Sequence, residues 1–286
     1  MEWINKRKIL IVGLGLMGGS YAMALKRLGY YVSAIDMNTE SVRYAIDKGI
    51  IDEGLSRPER DLISEADTII FALYPRIICD WIRDNQSMFK PGIIITDVTG
   101  IKGNIVYDIQ DILRDDVEFI AAHPMAGREL SGVENADDRI FRDANYIVVP
   151  TDRNTVEAIE WCRNLGQILG CRKVSILSPG EHDRMIAYVS QLTHCIAVSL
   201  MTCHDDPAIA DYTGDSFRDL TRIARINENM WSELFFMNKD ALLGEMDAFI
   251  QELTDIRDYI KNEDEDALKE KMRLSTERRN QFDKIL

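Results

Sequence analysis

One stretch near the start of the chain, residues 9–36, restricts the fold more than any other part of the sequence. It begins with an aliphatic run at residues 9–12, which predicts a buried strand. A Gly-x-Gly-x-x-Gly motif follows where that strand turns into a helix, and it consists of Gly13, Gly15 and Gly18. A second apolar run, residues 31–35, ends at Asp36, close to the roughly 20-residue spacing expected between such a motif and an acidic residue. This order predicts a βαβ unit that binds a dinucleotide.

Each residue of this motif has a separate task in the predicted site. Gly13 permits the tight turn, Gly15 lets the backbone approach a pyrophosphate, and Gly18 lets helix and strand pack closely. The backbone N–H groups at the start of the helix are expected to hold the phosphates, and they belong to Leu16 and Met17. Asp36 is expected to accept hydrogen bonds from both adenosine ribose hydroxyls and to repel a 2′-phosphate, which favours NAD over NADP. The alternative, a glycine-rich turn in an ordinary α/β protein, is disfavoured because strand, helix and acid are all in place.

Charge and composition limit the partners of the chain. With 286 residues, 46% of them apolar, it is long enough for two domains with ample cores. A formal net charge of −14 argues against a nucleic acid or an anionic membrane as partner. No segment is expected to approach membrane-spanning length, and the basic residues 6–8 precede a strand rather than forming a signal peptide. The five cysteines include no Cys-x-x-Cys pair, so we expect reduced, mostly buried thiols, no metal site and a cytoplasmic location.

Strand-like and helical segments alternate through the first part of the chain. Further apolar runs, separated by helical segments, lie at residues 68–73, 93–96, 119–122, 146–149 and 174–177. The alternation predicts an α/β fold of the Rossmann type, a doubly wound and mostly parallel sheet with helices on both faces, over residues 1–177. Beyond the Ser-Pro-Gly sequence at 178–180 no strand is predicted, so residues 178–286 are expected to form an all-helical domain.

The predicted helical domain contains two long apolar segments. Residues 181–204 are predicted to form one helix, and an apolar stripe with alternating spacing of four and three runs from Leu242 to Ile260. Such a stripe requires a helical partner. The sequence leaves two possibilities open, packing within the domain and a dimer interface.

Catalytic groups of an open α/β sheet are expected in the loops beyond the carboxyl ends of its strands. Two such segments are residues 97–102 and 123–129, and His123 begins the second. A core histidine is the alternative, but the polar loop after it, with proline and glycine, favours a catalytic role. In the helical domain Gln191 and His194 share one helix face. Three arginines at helical spacing favour an anion site, and these are Arg218, Arg222 and Arg225.

Five motifs in order along the chain resemble those of the prephenate dehydrogenases. They are Gly-Leu-Gly-Leu-Met-Gly-Gly-Ser at 13–20, His-Pro-Met-Ala-Gly at 123–127 with Ser-Gly-Val-Glu at 131–134, Ser-Gln-Leu-x-His at 190–194, Phe-Arg-Asp-Leu-Thr-Arg-Ile-Ala at 217–224 and Asn-Met-Trp at 229–231. The resemblance covers nearly the whole chain. It implies NAD-dependent oxidative decarboxylation of prephenate to 4-hydroxyphenylpyruvate on the way to tyrosine, by a homodimer joined through its helical domain and without a metal.

The resemblance also implies roles for individual residues. His123 matches the histidine that hydrogen-bonds the substrate's ring hydroxyl and assists its deprotonation as hydride leaves. Arg222 matches an arginine that binds a substrate carboxylate. His194 matches a histidine that faces the substrate, and Trp231 matches a residue that lines the pocket.

Three positions depart from the family pattern. Gly100 stands where many members carry a serine that positions the catalytic histidine, so Thr99 or a water is expected to take that place. Arg128 replaces a frequent threonine and adds a cation beside the predicted pocket, which favours prephenate over arogenate. Gln191 replaces a frequent histidine. We therefore count Thr99, Arg128 and Gln191 among the predicted substrate-binding residues.

Other functions remain open from the sequence. An arogenate dehydrogenase shares the fold and the chemistry. A β-hydroxyacid dehydrogenase uses a catalytic lysine on its helical domain, whereas no lysine lies between Lys173 and Lys239 in this chain. A non-catalytic NAD-sensing regulator is disfavoured by the presence of His123 and Arg222. Any inhibition by tyrosine is expected at the active site, because no regulatory domain is expected after the helices.

Overall fold

The computed structural model describes residues 7–128 and 130–282, and an eight-stranded sheet lies at the centre of the first part of the chain. The strands are β1 Lys8–Val12, β2 Tyr31–Ile35, β3 Glu53–Leu55, β4 Thr68–Phe71, β5 Ile94–Asp97, β6 Glu118–Met125, β7 Asn145–Val149 and β8 Lys173–Ile176. Their order in the sheet is β3-β2-β1-β4-β5-β6-β7-β8. Among the described strands only β6 and β7 pair antiparallel, so the predicted α/β fold with a mostly parallel sheet is confirmed.

Two hydrophobic cores lie on opposite faces of the sheet. In β1, Ile9 and Ile11 belong to one core, whereas Leu10 and Val12 belong to the other. The helices that accompany the sheet are α1 Leu16–Arg27, α2 Thr39–Asp47, α3 Arg60–Glu65, α4 Pro75–Asn85, α5 Gly103–Ile112 and α6 Val156–Ile168. Because both faces are covered, a strand such as β1 is a continuous aliphatic run rather than an alternating one.

Two strands differ from the prediction. β3 was not predicted because its three residues lie partly exposed at the sheet edge and contain no apolar run. β6 continues beyond the predicted run at 119–122, since β7 lies antiparallel beside it and pairs with it as far as Met125. His123 pairs with Ile147 and therefore lies within a strand, not in the loop that follows.

Beyond β8 the described residues form helices and turns without a further strand, as predicted. The helices are α7 Pro179–Ile186, α8 Thr193–Thr202, α9 Asp215–Thr221, α10 Glu228–Met237, α11 Lys239–Lys261 and α12 Glu265–Arg279. Ser178 and Glu181 form a capping box that starts α7. A π-helical segment, Ala187–Leu192, joins α7 to α8, so one long helix with an internal change of pitch replaces the uniform helix that was predicted.

This long helix, Pro179–Thr202, is apolar and long enough to cross a membrane by length and composition. The expectation that no segment approaches such a length is therefore wrong. A core helix of a soluble protein meets the same criterion. Several of its large apolar side chains are exposed in the single chain, and these are Met185, Tyr188, Val189 and Met201.

The chain divides into two compact units between Asn238 and Lys239. The first unit contains the sheet and the helices up to α10, and thus every predicted site residue. In the second unit α11 packs against α12, while Leu253 and Ile260 of the predicted apolar stripe are exposed in the single chain. A functional division between residues 177 and 178 stays a prediction.

Candidate active site

The carboxyl ends of the parallel strands bring the predicted segments to one edge of the sheet. β1 has β2 on one side and β4 on the other, so the strand order reverses at β1, which is where open α/β sheets bind ligands. The glycine loop follows β1, residues 98–102 follow β5, and His123 lies near the end of β6. Loops distant in sequence therefore meet at one crevice edge.

The glycine loop tolerates no side chain at two of its positions. Gly13 has a φ of 99°, its N–H donates to the Ile35 carbonyl at 2.8 Å, and an added Cβ would collide with the carbonyl oxygen of Ala72. An added Cβ on Gly18 would overlap the carbonyl oxygen of Gly13. These contacts hold β1, β4 and α1 close together at the base of the loop.

The outer side of the same loop is open. Gly15 is the N-cap of α1, and nothing lies within 4 Å of a Cβ placed on it. The first backbone N–H groups of any helix lack an intrahelical acceptor. In α1 these are the N–H groups of the first turn, which begins with Leu16 and Met17. That turn carries no acidic side chain, so its partial positive charge is not opposed. An open glycine and unpaired amides at a helix start fit the pyrophosphate of a dinucleotide.

Asp36 is fixed beside this loop by backbone groups. Its Oδ2 accepts a hydrogen bond from the Leu14 N–H at 2.6 Å, and its Oδ1 accepts one from the Asn38 N–H at 2.8 Å. The carboxylate therefore has a set position at the end of β2, next to the glycine loop. Its predicted contact with a ribose stays a prediction.

His123 belongs to a chain of three hydrogen-bonded side chains. Its Nδ1 lies 2.9 Å from Nε2 of His182, and Nδ1 of His182 lies 2.7 Å from Oδ1 of Asp183. Burial, and then the neighbouring His182 and Lys102, hold the pKa of His123 well below its ordinary value of 6.5. His123 is therefore neutral near pH 7 and able to accept a proton.

A buried ion pair lies beside this chain. Nζ of Lys102, which is fully buried, donates to Oδ2 of Asp97 at 2.6 Å and to Oγ1 of Thr99 at 3.1 Å. The Thr99 hydroxyl also donates to Asp97. Burial lowers the pKa of Lys102, while Asp97 acts in the opposite direction. Thr99 thus contacts the ion pair of Lys102 and Asp97. Thr99 was expected to position His123, but the side chain that lies within hydrogen-bond distance of His123 is His182.

The π-helical segment and α8 place Gln191 and His194 differently. Gln191 is buried, its Nε2 donates to the Leu234 carbonyl at 3.0 Å, and its Oε1 accepts from Asn238 at 2.8 Å. His194 donates from Nδ1 to the Ser190 carbonyl at 2.8 Å, and its ring packs against Trp231 with centroids 3.7 Å apart and planes tilted by 31°. The structure thus brings His194 and Trp231 together, whereas the Gln191 amide contacts protein groups at both ends.

The two predicted substrate-binding arginines lie on separate segments. Arg222 is exposed at the start of a short turn, Arg222–Ala224, that packs against α8, the helix of His194. Arg128 donates from Nη2 to Oδ2 of Asp137 at 2.8 Å. Hydrogen bonds from Arg139 and then Arg128 hold the pKa of Asp137 well below its usual range. Asp137 also pairs with Arg139, so it offsets the Arg128 charge only in part, and a preference for prephenate due to Arg128 stays a prediction.

His182 and Asp183 were not among the residues predicted from the sequence. The available signal was a histidine next to an aspartate, near the start of a helix that follows a capping serine. Across residues 7–128 and 130–282 no cluster of three or more His, Cys, Asp or Glu side chains could hold a metal ion.

Comparison with known proteins agrees with this geometry. Residues 21–190 match the family model described as the nucleotide-binding domain of prephenate dehydrogenase, and residues 178–274 match its dimerization domain. A prephenate dehydrogenase of Bacillus subtilis is 33% identical over 92% of this chain and 72% of its own length. A cyclohexadienyl dehydrogenase of Zymomonas mobilis is 28% identical over 96% of this chain and 95% of its own length.

Solved structures show the same architecture. The crystal structure of prephenate dehydrogenase from Aquifex aeolicus, in complex with hydroxyphenyl propionate and NAD+, is 30% identical, with a TM-score of 0.89 over 97% of this chain and 98% of that one. Synechocystis arogenate dehydrogenase is 24% identical, with a TM-score of 0.81 over 96% of this chain and 100% of that one. At that lower identity the likeness shows the fold alone.

Proposed function

The chain belongs to the prephenate dehydrogenase family, and we propose that it uses NAD to decarboxylate prephenate oxidatively to 4-hydroxyphenylpyruvate. One observation carries the proposal. A neutral histidine, His123, lies at the same sheet edge as a glycine loop that fits a dinucleotide. A proton acceptor beside a hydride-acceptor site is the arrangement that oxidation of a hydroxyl-bearing carbon requires.

The chain holds the cofactor through the glycine loop and Asp36. NAD, when bound, supplies the acceptor for the hydride. The open face at Gly15 and the first amides of α1 bind the pyrophosphate, and Asp36 binds the adenosine ribose and disfavours a 2′-phosphate.

His123 takes up the proton of the ring hydroxyl as hydride leaves the same carbon. The O–H electron pair then forms a carbonyl. Loss of carbon dioxide returns electrons to the ring, which becomes aromatic, and the oxygen recovers its proton to give the phenol. Because aromatisation makes the reaction strongly downhill, the main task of the protein is orientation of the substrate.

Arg222 and the ring pair of His194 and Trp231 provide the substrate contacts in this proposal. Arg222 pairs with a carboxylate, while the ring pair, formed by His194 on α8 and Trp231 on α10, lines the pocket. The sequence also suggested Arg128, Thr99 and Gln191 as contacts, and we propose that they support the site through their hydrogen bonds to Asp137, Asp97 and Leu234.

Arogenate is the second candidate substrate. The Asp137 carboxylate, which Arg139 also contacts, partly offsets the Arg128 charge that would favour prephenate. The arogenate dehydrogenase named above shares the fold, and arogenate differs from prephenate by an amino group in place of a keto group.

We further propose a cytoplasmic homodimer without a membrane or nucleic-acid partner. A second copy of the chain, meeting the first through the region that matches a dimerization domain, accounts for the exposed apolar side chains of the helix Pro179–Thr202. All five cysteines are free, of which Cys79 and Cys162 are buried and Cys203 is exposed, and free thiols suit a reducing compartment. In this proposal residues 1–177 bind NAD, and residues 178–286 complete the substrate site and form the dimer.

Steady-state rates of NADH formation test the assignment. We expect a higher kcat/KM with prephenate than with arogenate when NAD is saturating. A preference for arogenate would transfer the assignment to the second candidate. Absence of NADH with both substrates at high enzyme concentration would overturn the enzymatic proposal itself.

A further inference from the structure

The hydrogen-bonded chain behind His123 determines which of its nitrogens carries a proton. The chain runs from His123 through His182 to Asp183, with contacts of 2.9 Å and 2.7 Å. His182 is completely buried, and Asp183 is nearly so. Neutral imidazole has one protonated and one bare nitrogen, so each contact needs one donor and one acceptor.

Asp183 sets the direction of the chain. Its Oδ1 accepts from the Lys102 N–H at 2.9 Å, and its Oδ2 accepts from the Gly103 N–H at 2.6 Å. A carboxylate that accepts from two backbone amides also accepts from Nδ1 of His182, so Nδ1 carries the proton of that ring. Nε2 of neutral His182 is then bare and accepts from His123. His123 must therefore carry its own proton on Nδ1.

The bare Nε2 of His123 faces the position where the family often has a serine. A Cβ placed on Gly100 would lie 3.8 Å from this nitrogen and 3.7 Å from the Leu234 side chain. With glycine at position 100, a side chain there cannot orient the ring. The contact to His182 is the side-chain hydrogen bond that the structure shows on His123.

We propose that His182, anchored by Asp183, is a positioning residue that keeps His123 in its Nδ1–H form and leaves Nε2 bare for the hydroxyl of the substrate. This inference rests on the proposed role of His123 as the base. When Nε2 takes up the hydroxyl proton, the His123 cation still donates from Nδ1 to His182, and the proton returns to the substrate oxygen on aromatisation. No proton has to pass through His182.

The state of the ring can be measured without substrate. In water, the neutral imidazole of histidine favours the form with the proton on Nε2. An Nδ1–H form of His123 would therefore show that the hydrogen bond to His182 determines its tautomer. We expect the ¹⁵N shifts of the ring nitrogens in the labelled full-length protein to show His123 as Nδ1–H. His123→Asn identifies the His123 signals. A wild-type His123 protonated on Nε2 would overturn the proposal, even if no His182 variant folds.

Two variants of His182 then separate positioning from packing. His182→Leu removes the acceptor, so we expect His123 to change to the Nε2–H form. We also expect kcat to fall by about 10- to 100-fold, which is part of the usual contribution of general base catalysis. His182→Gln restores an acceptor oxygen near the same place, and we expect the Nδ1–H form and a kcat within roughly threefold of wild type. His204→Gln, a change at an exposed histidine, should alter neither quantity.

The outcomes distinguish this inference from the proposed function. A His182→Leu protein with unchanged kcat, while His123→Asn is inactive, would overturn the positioning role. If His123 of the wild-type protein has the Nδ1–H form but neither substrate is turned over, the result counts against the proposed function. It still supports the inference that His182 determines the tautomer of His123.

Discussion

Two alanine substitutions in the glycine loop should separate folding from cofactor binding. At Gly18 an added Cβ overlaps the Gly13 carbonyl oxygen and lies 3.2 Å from the Cβ of Ala72. At Gly15 the same atom meets nothing within 4 Å, and the backbone there is extended with φ −80° and ψ −163°, which alanine adopts freely. Gly18→Ala should therefore damage the fold, whereas Gly15→Ala should damage only the binding face.

The magnitudes follow from these contacts. Overpacking at Gly18 should cost about 1–3 kcal/mol of unfolding free energy. At about 2–4 °C for each kcal/mol, that predicts a Tm lowered by roughly 2–12 °C without cofactor. Alanine is a poorer N-cap than glycine, so Gly15→Ala should cost about 1 kcal/mol at most.

Thermal unfolding with and without NAD is the assay. Saturation at about 100 times Kd should stabilise the wild type by roughly 2.7 kcal/mol. Gly15→Ala should lower the Tm without NAD by no more than about 4 °C and lose most of the increase that NAD gives. Gly244→Ala, inside α11 with open space around its Cβ, is the control, because it should keep the full increase with NAD. A full NAD effect in Gly15→Ala, or an undiminished Tm in Gly18→Ala without NAD, would refute the reasoning.

Further predictions concern the cofactor, the substrate and pH. Asp36→Ala should weaken NAD binding and reduce the preference for NAD over NADP, measured as the ratio of kcat/KM values; an unchanged ratio would remove Asp36 from the cofactor site. Arg222→Ala should raise KM for prephenate roughly tenfold or more, since a charge-assisted contact contributes about 1.5–3 kcal/mol, and an unaltered KM would contradict its role. His123→Asn should lower kcat by about 10² to 10⁴, as expected for loss of a general base. Because burial, His182 and Lys102 lower the pKa of His123, wild-type kcat/KM should begin to fall only when the pH is below the ordinary value of 6.5. An acidic limb centred at or above 6.5 would contradict that pKa.

Local patterns explain what the sequence could predict. The unit from β1 through α1 to β2 is encoded by contiguous signals, which are an aliphatic strand, a glycine turn and an acid at the end of the next strand. The structure has both strands within one residue of their predicted bounds, with α1 between them. The strands buried on both faces were equally visible as aliphatic runs. The edge strand β3 was not, since only pairing with β2 makes its three residues a strand.

The missed parts of the site depend on contacts between distant residues. His182 meets His123 only because α7 packs near the end of β6, and no local pattern records that meeting. The antiparallel pairing of β7 similarly extends β6 through His123. The π-helical segment changes which residues of the long helix share a face, so helical spacing alone could not predict that Gln191 contacts Leu234 and Asn238.

The products formed from prephenate and NAD test the central claim most directly. The protein should be incubated with limiting prephenate and excess NAD, and NADH, carbon dioxide and 4-hydroxyphenylpyruvate should be quantified together. Oxidation coupled to decarboxylation predicts equal amounts of all three, with none formed by His123→Asn on the same timescale. Formation of NADH without carbon dioxide, or consumption of prephenate without NADH, would contradict the account.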